Sequence, residues 1–310
     1  MYDLIIIGGG PAGVSAGIYA ARKRLKTLLI AESFGGQSAP SSQIQNWIGI
    51  KSISGSEFAK NLEEHLRAQD SIEIKSSAKA EKILKKDHNF EVHTINMLNT
   101  ECLTYLGRAL IIATGARRRK LGVPGEEEFK GRGVSFCATC DGPLFTGKKI
   151  AVIGAGNAGL GTALELLAYA SRIYVLEYQE YSSADAVIQE KVQAEKKIEI
   201  LYKTEAQEII GNTFIKAIKY KDRTSGQYKV LDIDGVFIEV GTIPNSEIAK
   251  NLVEINNKNE IVIDHATCRT SQEGIFAAGD VTDVPYKQNI IAAGEGAKAA
   301  LSAYQYIKSR

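Results

Sequence analysis

The sequence predicts an α/β chain of two Rossmann-like dinucleotide-binding domains, the second inserted into the first. Three observations predict it. The apolar strand Leu4–Ile7 runs into Gly8-Gly9-Gly10-Pro11-Ala12-Gly13, an Ala-rich helix, a second strand Thr27–Ile30 and a closing carboxylate, Glu32. The same order returns in mid-chain: strand Lys149–Ile153, Gly154-Ala155-Gly156-Asn157-Ala158-Gly159, a helix to about Tyr169, strand Arg172–Leu176 and Glu177. Near the other end, the apolar stretch Gly274–Ala278 leads into Gly279-Asp280, which suits a second contact to the ligand of the first fingerprint. That site is then split between the two ends of the chain. The simplest division gives residues 1–115 and 245–310 to one domain and 116–244 to the other.

Each glycine of a G-x-G-x-x-G turn has its own work. The first permits the tight turn, the second lets backbone N–H groups approach a pyrophosphate, and the third lets helix and strand pack closely. Here strand, helix, second strand and acid accompany both turns, so each reads as a dinucleotide site. Glu32 and Glu177 stand where a carboxylate accepts from adenosine ribose hydroxyls.

Between the fingerprints, Phe34-Gly35-Gly36-Gln37 and the polar stretch to Asn46-Trp47-Ile48-Gly49 lack periodicity and read as a site-lining loop. A Ser-capped helix from about Ser56 to Gln69 carries Phe58, Leu62 and Leu66 on one face. Residues 72–104 alternate as antiparallel strands and end in the apolar strand Ala109–Gly115. Arg117-Arg118-Arg119-Lys120 is a solvated connector, and Val123-Pro124-Gly125 is a turn. Beyond the second fingerprint, a helix is expected over about 183–196 and short strands to Gly241. Past Pro244 come a helix-like stretch 245–253, a strand 261–263 and a last helix over about 291–307, small on one face at Ala292, Ala293, Ala297 and Ala300.

Cys137-Ala138-Thr139-Cys140-Asp141 lies almost midway between the fingerprints. A C-x-x-C spacing closes a very small disulfide ring and supplies a reactive thiolate. It also makes half of a zinc site, but tetrahedral zinc takes about four ligands, and Cys102 and Cys268 are isolated. Two nucleotides beside a dithiol favour the redox reading: an electron-pair route from a nicotinamide through a flavin to sulfur.

Composition narrows the field. With 310 residues, 44% hydrophobic and 24% charged, the chain has the balance of an ordinary globular protein of two domains. A net charge of +2 gives no footprint for nucleic acid. No apolar run approaches the roughly 20 residues of a membrane helix, and with a strand opening at Leu4 no leader is expected. The expectation is a cytoplasmic protein with no metal.

Taken in one order, Gly8 to Gly13, Gly36-Gln37, Asn46, Cys137 to Asp141, Gly154 to Gly159 and Gly279-Asp280 resemble the low-molecular-weight thioredoxin reductases, within the class II pyridine nucleotide-disulfide oxidoreductases. The resemblance spans essentially the whole chain. The stretch Tyr286 to Lys298 is similar to the flavoprotein subunit of alkyl hydroperoxide reductase, a sister group with an extra N-terminal thioredoxin-like domain. Because this sequence opens at the first fingerprint, any such domain is expected on a separate protein.

The resemblance implies a homodimer that uses FAD and NADH or NADPH and reduces a thioredoxin-like or glutaredoxin-like protein disulfide. It implies that Cys140 lies beside the flavin, that Cys137 attacks the outside disulfide, and that Asp141 protonates a departing thiolate. FAD contacts would be Gly8, Gly10, Pro11, Ala12, Gly13, Glu32, Gly36, Gln37, Asn46, Gly115, Gly279, Asp280, Lys287 and Gln288. Nicotinamide-nucleotide contacts would be Gly154, Gly156, Asn157, Ala158, Gly159, Glu177 and Gly241. Ala116 to Lys120 and Gly241 to Pro244 match the family's two-stranded hinge.

One departure bears on the nucleotide. NADPH-using members carry a His-Arg-Arg type cluster after the second strand, whereas this chain reads Glu177-Tyr178-Gln179-Glu180 with no arginine through Ala186. NADH is expected to be preferred tens-fold. A thiol oxidase would not need the intact glycines at 154, 156 and 159, and a redox sensor would not need Asp141.

Overall fold

The computed structural model describes every residue except Ser42, Gln43, Gln45 and Cys137, together with all side chains of its helices and strands except those of Thr139 and Cys140. The chain divides into two compact units, Met1–Arg117 with Ile243–Arg310, and Arg118–Thr242.

Unit 1 opens with strand β1 (Tyr2–Gly9), helix α1 (Pro11–Arg22) and strand β2 (Thr27–Phe34). Helix α2 (Gly55–Arg67) follows, capped by Ser54, whose hydroxyl accepts from the Glu57 N–H at 3.2 Å. Its apolar face buries Phe58 and Leu66, and Trp47 packs edge-on against Phe58 with centroids 4.9 Å apart. Strands β3 (Ile72–Ser76), β4 (Ala78–Lys86), β5 (Asn89–Asn96) and β6 (Cys102–Ile112) complete the first passage through the unit.

The chain then passes through β7 (Ala116–Arg118) into unit 2, which holds β8 (Val134–Ser135), the four-residue helix α3 (Ala138–Asp141), β9 (Lys149–Ile153), helix α4 (Asn157–Leu166), β10 (Arg172–Leu176) and helix α5 (Ala186–Gln193). Strands β11 (Ile198–Leu201), β12 (Thr204–Gly211), β13 (Ile215–Asp222), β14 (Tyr228–Asp232) and β15 (Gly235–Ile238) finish it. The return strand β16 (Thr242–Pro244) pairs with β7. Unit 1 is completed by β17 (Ile275–Ala277) and helix α6 (Asn289–Lys308).

In unit 1 the sheet order is β3-β2-β1-β6-β5-β4, with β17 added to β6. Its β1, β2, β3, β6 and β17 pairs are parallel, and β4-β5-β6 is an antiparallel meander. Residues 4–7 and 109–112 are near-continuous apolar runs because helices cover the parallel part; Leu4, Ile5, Ile6, Leu110 and Ile111 are fully buried. Unit 2 repeats the parallel plan as β11-β10-β9-β15-β8 and adds the separate antiparallel meander β12-β13-β14.

Three local expectations change. Residues 72–76 pair in parallel with β2, because helix α2 before them serves as the crossover that a parallel pair needs. The stretch 245–253 holds only one 3-10 turn, Glu247–Ala249, and 261–263 makes isolated bridges, Ile261 to Ile255 and Thr282, in place of a strand. Among the described residues no helix is long and apolar enough to cross a membrane.

Candidate functional site

Both glycine turns grow from the C-terminal end of a central parallel strand, and their backbones are near copies. Gly10 and Gly156 cap α1 and α4 at φ/ψ of −77°/−177° and −80°/−177°. A Cβ on Gly13 would lie 2.0 Å from the Gly8 carbonyl oxygen, and one on Gly159 would lie 1.9 Å from that of Gly154. Gly8 and Gly154 have positive φ, +124° and +104°. The middle glycines differ in kind: a Cβ on Gly10 meets nothing within 4 Å, and one on Gly156 meets only Ser183 Oγ at 3.5 Å. The outer glycines serve packing, while the middle ones keep open a space at a helix N-terminus, where N–H groups attract phosphate. The cradle therefore fits a dinucleotide.

Around the first turn, unit 1 brings together residues far apart in sequence. Gly36 stands with its Cβ position 3.6 Å from Gly10 Cα, and Gly279 faces Ala12 and Ala292 at 3.1 and 3.4 Å. Gln37 Nε2 donates to Asp280 Oδ2 at 3.4 Å, and Asn46 Nδ2 donates to Gln288 Oε1 at 2.9 Å. Burial pushes the Asp280 carboxyl up from its ordinary range, with Lys287 pulling it back. The Lys287 ammonium itself is held by the Thr282 carbonyl and by Glu260, 3.0 Å away. Glu32 is exposed on β2. Gly115 and Gly241 have positive φ beside the β7–β16 pair; their carbonyls accept from Asn245 N–H and Arg119 N–H at 2.9 Å each.

One buried acid was not among the residues expected at the site. Glu295 on α6 is 5% exposed and accepts the Gly279 N–H at 2.8 Å, so it fixes the turn that presents Asp280. Burial raises its carboxyl above the usual range. A carboxylate inside an alanine-rich helix face reads in sequence as a solvent residue.

At the second turn, Glu177 is anchored to backbone. Its Oε2 accepts the Ala155 N–H at 2.6 Å and its Oε1 the Gln179 N–H at 2.7 Å. A carboxylate offers about four lone-pair sites, so ribose hydroxyls can still be accepted. Asn157 and Asp185 close the far side, with Asp185 N–H donating to Asn157 Oδ1 at 2.7 Å; Asn157 and Ala158 are exposed at the start of α4. Glu239, beyond β15, pairs with Arg118 at 3.3 Å and accepts from Thr162 Oγ1 at 3.2 Å; its carboxyl is raised by burial. Sequence reasoning also missed two cations brought to the end of β10: Lys203, between β11 and β12, paired with Glu180 at 2.7 Å, and Arg223, in the β13–β14 turn, stacked 3.8 Å from the Tyr178 ring centroid.

The dithiol segment belongs to unit 2. Cys137 lies outside the described residues, and of Cys140 only the backbone, in α3, is described. Ala138 is buried in one core with Leu160, Ala163 and Leu166 of α4, which joins the segment to the helix of the second turn. Asp141 Oδ2 accepts from Ser135 Oγ at 2.6 Å. Among the described residues no group of three His, Cys, Asp or Glu side chains forms a metal cage.

The family model for pyridine nucleotide-disulphide oxidoreductases matches residues 2–299. Over 307 residues, 99% of its length, the chain is 42% identical to the alkyl hydroperoxide reductase F subunit of Pseudomonas aeruginosa. A Bacillus subtilis protein named NADH dehydrogenase is 40% identical over 306 residues. In each case 99% of this chain aligns with 58% of the relative, so it spans under three fifths of their length. Thioredoxin reductase from Lactococcus lactis has a similar structure, with a TM-score of 0.91, 33% identity and full coverage of both chains.

Proposed function

Since this chain belongs to the pyridine nucleotide-disulphide oxidoreductase family, whose members use FAD and NAD(P)H, we propose that it reduces a protein disulfide at the expense of a nicotinamide nucleotide. The Cys137/Cys140 pair would take up the electron pair that NADH and a bound FAD supply, and would hand it on to a thioredoxin-like or glutaredoxin-like partner. The balance is NADH + H⁺ + disulfide → NAD⁺ + two thiols. What supports the reading above all is that α3 and α4 share one core: the dithiol segment and the second nucleotide turn ride on one unit.

In unit 1, Gly8 to Gly13, Gly36, Gln37, Asn46, Gly279, Asp280 and Gln288 would hold FAD, which when bound supplies a two-electron relay between hydride donor and disulfide. Cys137, as outer thiolate, would attack the partner's disulfide to form a mixed disulfide, which Cys140 then resolves as the second partner thiolate departs. Asp141, held by Ser135, would deliver the proton that the departing thiolate needs. Asp141→Asn is expected to keep FAD and fold while kcat falls by about 10²–10⁴-fold, the usual worth of general acid help. Stopped-flow reduction of the partner at constant FAD content checks it.

NADH is proposed over NADPH because Glu177 stands 23 positions after Gly154, near the roughly 20 at which the acid meets the ribose. Like-charge contact with a 2′-phosphate costs several kcal/mol, and each 1.4 kcal/mol is about tenfold. Arg172 is engaged elsewhere, by Glu199 and the Lys196 carbonyl. Steady-state turnover with both nucleotides and a thioredoxin disulfide tests the function and the preference together: kcat/KM higher with NADH by tens-fold or more is expected. Equal values, or oxygen consumption with no disulfide reduced, would overturn the respective parts. We further propose a cytoplasmic homodimer, on the family resemblance and on the need for nucleotide and reducible protein partners in one compartment; sedimentation of the purified holoenzyme at two chains per particle is the expected result.

A further inference from the structure

Resting on the reading that Glu177 faces the adenosine ribose, we propose that Arg223 governs how well this chain accepts a nucleotide carrying a 2′-phosphate. No arginine follows Glu177 closely in sequence, but the meander supplies one in space. Thr204 N–H donates to the Glu177 carbonyl at 2.8 Å, Lys203 N–H to that of Gln179 at 2.9 Å, and Arg223 N–H to that of Lys203 at 2.8 Å. Three segments are thus laced edge to edge at the end of β10. Asp222 shapes the turn that carries Arg223, accepting from Thr224 N–H at 2.9 Å, Ser225 N–H at 3.1 Å and Lys229 Nζ at 2.7 Å.

The charges there are not equivalent. Glu180 is answered by Lys203 at 2.7 Å, and Glu177 by two backbone N–H groups. Arg223 has no carboxylate partner among the described residues. Its guanidinium is stacked 3.8 Å from the Tyr178 centroid, and Nη1 donates to the Tyr178 carbonyl at 2.9 Å. Stack and carbonyl fix the plane, so little side-chain freedom remains to be lost on binding. The remaining donors of the fork meet no partner among the described residues and keep the geometry that matches phosphate oxygens.

Arg223 therefore opposes Glu177. The carboxylate selects the ribose hydroxyls of NADH, and the arginine keeps NADPH from being excluded. The test titrates the holoenzyme with NAD⁺ and NADP⁺ by calorimetry, which needs no turnover. Arg223→Ala should weaken NADP⁺ about fivefold more than NAD⁺, the scale of one exposed ion pair, and should flatten the salt dependence of NADP⁺ binding. Arg223→Lys, which keeps charge without the plane, should recover part of the loss. Equal loss of both nucleotides would mean that Arg223 only props Tyr178, and no change in NADP⁺ would place it away from the phosphate; either result overturns the proposal. Glu177→Ala separates it from its premise, because an unchanged NAD⁺/NADP⁺ ratio in that variant removes the ribose reading whatever Arg223 does.

Discussion

Gly10→Val is expected to yield a folded, colourless protein. The backbone at Gly10 is extended, and a Cβ there meets no atom within 4 Å, so a side chain can start from this position without a clash at its first atom and the fold is expected to survive. The branches of valine fill the space over the α1 N-terminus that a pyrophosphate needs. Flavin absorbance should be absent in the purified chain and should not return on incubation with FAD, while circular dichroism matches the parent. Gly156→Val is the counterpart in unit 2: yellow, since unit 1 is untouched, but with its flavin no longer bleached by NADH. Gly13→Val and Gly159→Val should instead fail to fold, because a Cβ within 2.0 and 1.9 Å of a carbonyl oxygen forces helix away from strand. A yellow, NADH-responsive Gly10→Val protein would remove FAD from this turn.

Replacing either cysteine should drop disulfide turnover to the uncatalysed background, since the exchange needs one thiolate to attack and a second to resolve the mixed disulfide. The two variants part in their signatures. Cys137→Ser retains the thiol assigned to the flavin side and should show a long-wavelength charge-transfer band. Cys140→Ser retains the outer thiol and should trap the partner as a stable mixed disulfide, with no such band. The band in Cys140→Ser would reverse the assignment. Both variants should still bind one FAD per chain, which separates loss of chemistry from loss of fold.

The α/β class and the paired nucleotide units are legible because their signals are local. A strand, a glycine turn and a helix lie within some thirty residues, and the strands Lys149–Ile153 and Arg172–Leu176 appear with the bounds their apolar runs suggest. Residues 72–76 are not, since alternation reports a half-buried strand without naming its neighbour, and the parallel pairing to β2 is decided by the crossover. Residues 245–253 carry helical spacing, but the 3-10 turn ends at Ala249, where Lys250 takes an extended φ/ψ of −58°/133°, while Thr114 Oγ1 and Arg117 hold Asn245 and Arg117 also holds Glu247. Gln37 with Asp280, and Asn46 with Gln288, are separated by more than 240 positions; only a resemblance links such pairs in sequence. Arg223 had no signal of either kind, and Glu295 lay in a stretch that carries the resemblance without being singled out. One comes from a meander outside the nucleotide motif, and the other is an acid where helix patterning expects alanine.

The split of unit 1 has a consequence for how the chain is made. Residues 118–242 are contiguous, so that unit can close its core while the chain is still being synthesised. Unit 1 cannot: β6 waits for β17 as neighbour, and α1 waits for Gly296 of α6, whose Cβ position lies 2.0 Å from the Ala12 carbonyl. Until α6 emerges, the nascent amino-terminal segment exposes the apolar faces of α1 and β1 across an interval of more than 150 residues, at a few to twenty residues per second. Such a segment is a client for chaperones that shield apolar chain at the ribosome exit. Truncations that remove α6 should accumulate as aggregates in which the nucleotide unit is natively folded.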